Sequence, residues 1–112
     1  MNSFHLTAIG RLADDPKSGK NGDVRFALIG EDYAGKDREP ITTSVYFVAF
    51  NGVGQSLFEH ARKGDQLILE AQLRANNYEK NGKTVYDYSF VVVSFKFGAP
   101  GNAKRLALQS QA

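Results

Sequence analysis

Apolar and polar residues alternate most regularly between Gln66 and Tyr78. Leu67, Leu69, Ala71, Leu73 and Ala75 occupy the odd positions, while Glu70, Gln72, Arg74, Asn76 and Tyr78 follow Ile68 on the even ones. Successive side chains of a strand point to opposite faces, so this pattern predicts a strand with one apolar and one polar face. Lys80-Asn81-Gly82-Lys83 follows as a polar turn, and its Asn-Gly pair tolerates the positive φ of tight hairpins. Residues 84–95 are rich in β-branched and aromatic side chains and predict the return strand. The segment from Gln66 to about Phe95 is therefore expected to be a long hairpin with a basic tip.

The same pattern predicts further elements. Residues 3–12 alternate Phe4, Leu6, Ala8 and Leu12 with Ser3, His5, Thr7 and Arg11, and Gly10 marks a bulge or bend. A polar loop of turn formers covers 14–23. A second strand, from Val24 to about Tyr33, sets Val24, Phe26 and Leu28 against Arg25, Ala27, Ile29 and Tyr33. A charged loop over 34–40 carries Lys36 and Arg38. A third strand over 41–51 is apolar on both faces, Val45, Phe47 and Ala49 against Tyr46, Val48 and Phe50, as a central or doubly covered strand would be.

One helix is expected over 53–63. Val53, Leu57 and Ala61 recur every four residues, Phe58 widens the stripe, Arg62 and Lys63 suit the C-terminal end, and Gly64 supplies a left-handed stop. The order β-β-β-α-β-β predicts an all-β five-stranded OB-fold barrel with one short helix between strands three and four. A small sandwich or SH3-like barrel has similar strand spacing, but the helix position favours the OB-fold. The domain is expected over 1–98, followed by a flexible tail over 99–112.

Composition changes this picture little. At 112 residues there is room for one core, and 42% hydrophobic and 12% aromatic residues suffice to build it. No cysteine is present, which excludes a disulfide framework and a thiolate metal site and fits a cytoplasmic location. The longest apolar run, 45–50, is far short of a membrane span. Net charge is +2, which permits a nucleic-acid partner without arguing for one.

No catalytic centre is expected. His5 and His60 are the two histidines, and surface histidines without a catalytic role are far commoner than a paired site. The segment from Gly52 to Leu57 begins like a dinucleotide loop but lacks its third glycine. Asp14 and Asp15 precede a proline in a loop, where acidic turn residues are routine. Neither cofactor nor metal is expected.

Binding chemistry is better represented. Single-stranded nucleic acid is held by aromatic rings that stack on bases and by cations that neutralise phosphates. Arg74 and Tyr78 share the polar face of the fourth strand, and Lys80 and Lys83 sit at the hairpin tip. Tyr33, Tyr46 and Phe50 extend the aromatic track, with Lys36 in the neighbouring loop and Arg11 and Arg25 on the non-core side of strands one and two. Tyr46 and Phe50 share their face with Val48 and are equally compatible with a core position. Tyr86, Tyr88 and Phe90 fit core or interface packing better than stacking.

Several separated pieces resemble the bacterial single-stranded-DNA-binding protein family: Ile9-Gly10-Arg11-Leu12 with Asp15-Pro16, then Lys63-Gly64, then Glu70-Ala71-Gln72-Leu73-Arg74 leading to Tyr78. The resemblance spans about residues 3–98. It implies stacking by Tyr33, Tyr46, Phe50 and Tyr78 and a phosphate contact at Arg74, with tyrosine or phenylalanine where the family usually has tryptophan. It also implies a homo-oligomer, dimer or tetramer, acting in DNA replication, recombination or repair. The family's acidic C-terminal tip has no counterpart here, since no acid follows Asp87, so recruitment of replication enzymes through such a tip is not expected. The expected function is non-catalytic, largely sequence-independent binding of single-stranded DNA. The alternative is an OB-fold protein-interaction subunit, a primosome or mobile-element accessory protein, with weak nucleic-acid binding.

Overall fold

The alternating segments form strands whose apolar sides share one interior. The structure, a computed structural model, describes residues 3–101. In chain order it contains β1 (Phe4–Leu12), β2 (Lys17–Ser18), β3 (Val24–Asp32), β4 (Ile41–Ala49), α1 (Asn51–His60), β5 (Gln66–Ala75), β6 (Tyr78–Lys80), β7 (Lys83–Val85) and β8 (Tyr88–Phe97). β1 pairs antiparallel with β5, β5 with β8, and β3 with β4, while β4 and β8 run parallel. β3 returns to β1 through Arg11↔Ile29 and Leu12↔Leu28, which closes a five-stranded barrel. Gly10 stands where β1 turns from β5 towards β3, and a Cβ there would come within 2.9 Å of the Ile29 carbonyl oxygen.

Inside lie Leu12, Val24, Phe26, Leu28, Phe47, Ala49, Leu67, Leu69, Ala71 and Val92. Phe47 stacks on Phe26 at 5.5 Å and meets Phe90 at 5.8 Å. The odd positions of β5 point inward as expected. In β8 the register shifts opposite Glu70 and Ala71: Glu70 faces Ser94, Ala71 faces Val92, and Val93 is the extra residue of a bulge. The inward set therefore passes from Phe90 and Val92 to Phe95.

The helix begins and ends earlier than expected. Its C-cap is Ala61, in extended conformation and fully buried, so the chain leaves α1 to plug the barrel floor. Arg62 compensates by folding back to donate hydrogen bonds to the carbonyls of Phe58, Glu59 and Ala61. Gly64 has the positive φ expected of it, +87°, three residues later. Gly54 lies against β4, where a Cβ would sit 2.8 Å from the Ala49 carbonyl oxygen. Close helix packing, and not a nucleotide loop, accounts for that glycine.

The long hairpin is present in one register, with a lapse in strand pairing at 76–77 and 86–87. β5 and β8 form the stem, which the Asn76 amide carries on by donating to the Asp87 carbonyl at 2.8 Å. Beyond it β6 and β7 form a separate small ribbon, with Lys80 opposite Lys83. Its turn is Asn81-Gly82, with φ of 55° and 75°, as the two-residue hairpin requires.

Residues 99–101 belong to the folded part, although the tail was expected to start at 99. Ala99 exchanges hydrogen bonds with the Gln66 backbone amide and side chain, and the Gly101 amide donates to the buried Asp65 carboxylate at 2.9 Å. The rest of that expected tail, 102–112, lies outside the described residues. Among the described residues no helix is long and apolar enough to cross a membrane.

Candidate nucleic-acid interface

All ten residues singled out in the sequence are exposed. Strand register decides which of them stand together. On the outer surface Arg74 of β5 pairs with Ser89 of β8, and Tyr46 of β4 pairs with Ala27 of β3. One residue pair further on, Gln72 pairs with Val91, Val91 with Val48, and Val48 with Arg25. Because β4 and β8 run parallel here, Ser89 and Tyr46 fall side by side. Two adjacent rows thus cross the outside of the sheet, Arg74-Ser89-Tyr46-Ala27 and Gln72-Val91-Val48-Arg25.

Tyr46 points away from the core and is 79% exposed, so its place on a doubly apolar strand did not make it a core residue. Val48 beside it is buried, giving the ring an apolar floor. Tyr46 and Arg25 line two neighbouring hollows. One is rimmed by the loop at Asp14, Asp15, Lys17 and Gly19. The other is rimmed by Asn76, Asp87 and Tyr88 at the root of the β6–β7 ribbon. Tyr88 and Tyr86 are 64% and 74% exposed, so of the core or interface packing expected for them the core is ruled out, and Phe90 alone of the three packs against it.

The electrostatics of the centre depend on Arg25. Its Nε donates to the Asp23 carboxylate at 2.7 Å, which leaves the outer edge of the guanidinium in solvent. Lys17 lies directly across β2–β3 from Arg25. Like charges in direct cross-strand register repel, and Asp23 offsets one of them. The remaining positive charge faces the hollow beside Tyr46. Lys17 is a candidate that the sequence did not disclose, because nothing local says that it registers with Arg25.

The hydrogen bond from Arg25 holds the Asp23 carboxyl below the ordinary carboxylate range, against the opposing effect of burial. A depressed carboxylate pKa contributes stability above the unfolded value, and that contribution is lost as pH falls through the folded one. The melting temperature of the wild type should therefore fall more steeply below about pH 4 than that of Asp23→Asn. Parallel slopes for the two proteins across that range would count against the ion pair.

The other candidates are more dispersed. Phe50 continues the outer line Tyr46, Val48, Phe50, about 13 Å beyond Tyr46 at the usual strand rise, and is 41% exposed. Tyr78, Lys80 and Lys83 stand on the β6–β7 ribbon, with Tyr78 half-exposed. Tyr33 and Lys36 lie past the far end of β3, where the β3–β4 ribbon overhangs the barrel. Arg11 donates to the Gly64 carbonyl at 2.9 Å, and Arg74 to the Gln72 side chain at 2.8 Å. The structure thus sets Arg25, Tyr46 and Arg74 on two adjacent rows of one face, with Ser89 between Tyr46 and Arg74, extends them to Phe50, and places the rest on projecting tips or, for Arg11, beside the β1–β3 seam. His5 bonds to the Ser3 hydroxyl and His60 lies 3.8 Å from Glu59, each with a local partner. No group of three or more metal-ligating side chains is assembled among the described residues.

A closed five-stranded barrel carrying such a face on its second and third strands, between the loop after the first strand and the hairpin between the last two, is an OB-fold binding barrel. No family model matches the chain. It is 32% identical over 108 residues to the single-stranded DNA-binding protein of Clostridium perfringens, covering 91% of this chain and 69% of that protein. It is 30% identical over 96 residues to that of Fusobacterium nucleatum, covering 80% of this chain and 62% of that protein. In fold it resembles a Plasmodium falciparum SSB solved in complex with ssDNA, with a TM-score of 0.70 over 88% of this chain and 100% of that one at 16% identity. The chain belongs to the single-stranded DNA-binding protein family.

Proposed function

We propose that the chain binds single-stranded DNA without catalysis and with little sequence preference, in support of replication, recombination or repair. The observation that carries this reading is the outer face on which Tyr46 stands between Arg25 and Arg74, over an apolar floor and between two raised rims. A stacking ring flanked by cations is the arrangement that holds unpaired bases and their phosphates. A duplex, whose base faces are covered, offers Tyr46 nothing to stack on.

In this reading Tyr46, Phe50, Tyr78 and Tyr33 stack on bases. Arg25, Arg74, Lys80, Lys83, Lys36 and Arg11 meet phosphates, with Lys17 added beside Arg25. The β6–β7 ribbon and the overhanging β3–β4 ribbon carry the outer contacts, so the strand runs across the barrel and engages both projections. The relatives' names and the DNA-bound neighbour support single-stranded DNA as the ligand.

The test is titration of a labelled poly-dT of about 35 nucleotides at several salt concentrations, with duplex DNA as competitor. Seven phosphate contacts predict that log K falls against log salt with a slope of about −5, at ~0.7 per contact for single strands. Duplex should compete poorly. Absence of binding at low salt would sink the proposal.

A second copy of the chain is the proposed partner. β1 pairs with β5 along one edge, but on the other edge it meets β3 only at Arg11 and Leu12. That leaves the edge from Phe4 to Ile9 with unpaired backbone groups, a ready template for another strand. Sedimentation of the chain as a monomer at all working concentrations would remove this part.

A further inference from the structure

Phe58 belongs neither to the barrel core nor to the face described above. The inward stripe of α1 is carried by Val53, Leu57 and Ala61, and Phe58 stands outside it with 47% of its surface exposed. It borders a hollow of about 490 Å³ whose other walls include Phe50, Gln55 and, across the gap, Asn21 and Gly22 of the loop between β2 and β3. At Gly52, on the same hollow, an added Cβ would meet nothing within 4 Å. The volume lies in the range that takes a small ligand group.

We propose that this hollow is a nucleobase subsite at one end of the single-strand path, in which a base that leaves the sheet at Phe50 stacks on Phe58. The proposal rests on the single-strand reading and extends it from the strands onto the helix. Three features favour a nucleobase as the occupant. The hollow continues the outer line of β4, since Phe50 follows Tyr46 and Val48 at every second residue. Its lining includes Asn21, Asn51 and Gln55, amide residues of the kind that match the polar edges of a base, with the Gln55 nitrogen already donating to Glu59 and its carbonyl oxygen left to accept. The exposed Lys17 and Lys20 are the chain neighbours of Ser18 and Asn21, which line the hollow, so two cations lie within one residue of its wall for the phosphate of an inserted nucleotide. Ring stacking tolerates every base, whereas the amides grade them, so this end of the path is where base preference should arise.

The experiment compares poly-dT binding by wild type, Phe58→Ala, Phe58→Trp, Gly52→Leu and Tyr46→Ala. Losing one stacked base should weaken binding by Phe58→Ala at least about fivefold. Phe58→Trp should keep wild-type affinity, and Gly52→Leu, which fills the hollow, should weaken binding as Phe58→Ala does. Phe58 is neutral, so the salt dependence should not change, and its exposure predicts an unaltered melting temperature. If Phe58→Ala and Gly52→Leu bind like wild type while Tyr46→Ala is weakened, the subsite is overturned and the sheet reading stands. If wild type itself fails to bind, both fall together.

Discussion

Tyr46→Ala is expected to weaken single-stranded DNA binding by about 1–3 kcal/mol, or roughly 5- to 150-fold, with the fold intact. The residue is 79% exposed at the middle of the outer face, so its removal takes away a stacking surface and no core contact. Its stability cost is limited to strand propensity and cross-strand contact, at most about 1 kcal/mol. Tyrosine carries no charge, so the slope of log K against log salt should match wild type. Arg25→Ala supplies the contrast: loss of one phosphate contact should reduce that slope by about 0.7. Titrations of the two variants across a salt series therefore separate stacking from charge neutralisation on adjacent rows of one sheet. Unchanged affinity of Tyr46→Ala at every salt concentration would mean that DNA, if bound, takes another path.

The sequence discloses what is local. Alternation in β5 places Leu67, Leu69 and Ala71 inside, Asn81-Gly82 forms the expected turn, and Gly64 has its positive φ. These follow from a few neighbouring residues and need no knowledge of the rest of the chain. Long-range effects are less legible. Ala61 and the residues after it continue a helical pattern, yet burial of Ala61 beneath the barrel ends α1 at His60. The hairpin keeps one register from Ala75↔Tyr88 through the Asn76–Asp87 bond to Lys80↔Lys83, and what alternation does not signal is the lapse in strand pairing at 76–77 and 86–87. Tyr88 has the inward parity of Phe90, but it sits past the barrel rim and stays exposed.

The binding site shows the same division. Arg25, Tyr46 and Arg74 were recognisable as surface candidates by residue type and strand face. Their alignment in neighbouring rows comes from three separate strand pairings, none of which is written in any single stretch. Lys17 was hidden for that reason, its significance lying wholly in its register with Arg25. Phe58 was hidden for another: a large apolar residue beside a helical stripe reads as core, and only the angle at which α1 packs leaves it in solvent.

Leu69→Ala should produce the opposite result from Tyr46→Ala. Leu69 is 1% exposed, on the inner face of β5 between Ala8 of β1 and Phe95 of β8. Along the inner face it lies between Leu67 and Ala71, and Leu67 and Phe95 are themselves held in the packed interior, so the space left by truncation is filled only in part. Truncation should cost about 2–5 kcal/mol. At about 4 °C per kcal/mol for a chain of this size, the melting temperature should fall by about 8–20 °C. The outer face remains as it was, so below the melting transition the folded variant should bind poly-dT with wild-type affinity and salt slope. Calorimetry and titration of the two variants then form a crossed pair: Leu69→Ala moves stability and spares binding, and Tyr46→Ala moves binding and largely spares stability. A Leu69→Ala protein that melts like wild type would mean that β5 is in another register. Because a one-residue slip exchanges the two faces of a strand, that result would also take Arg74 off the outer face.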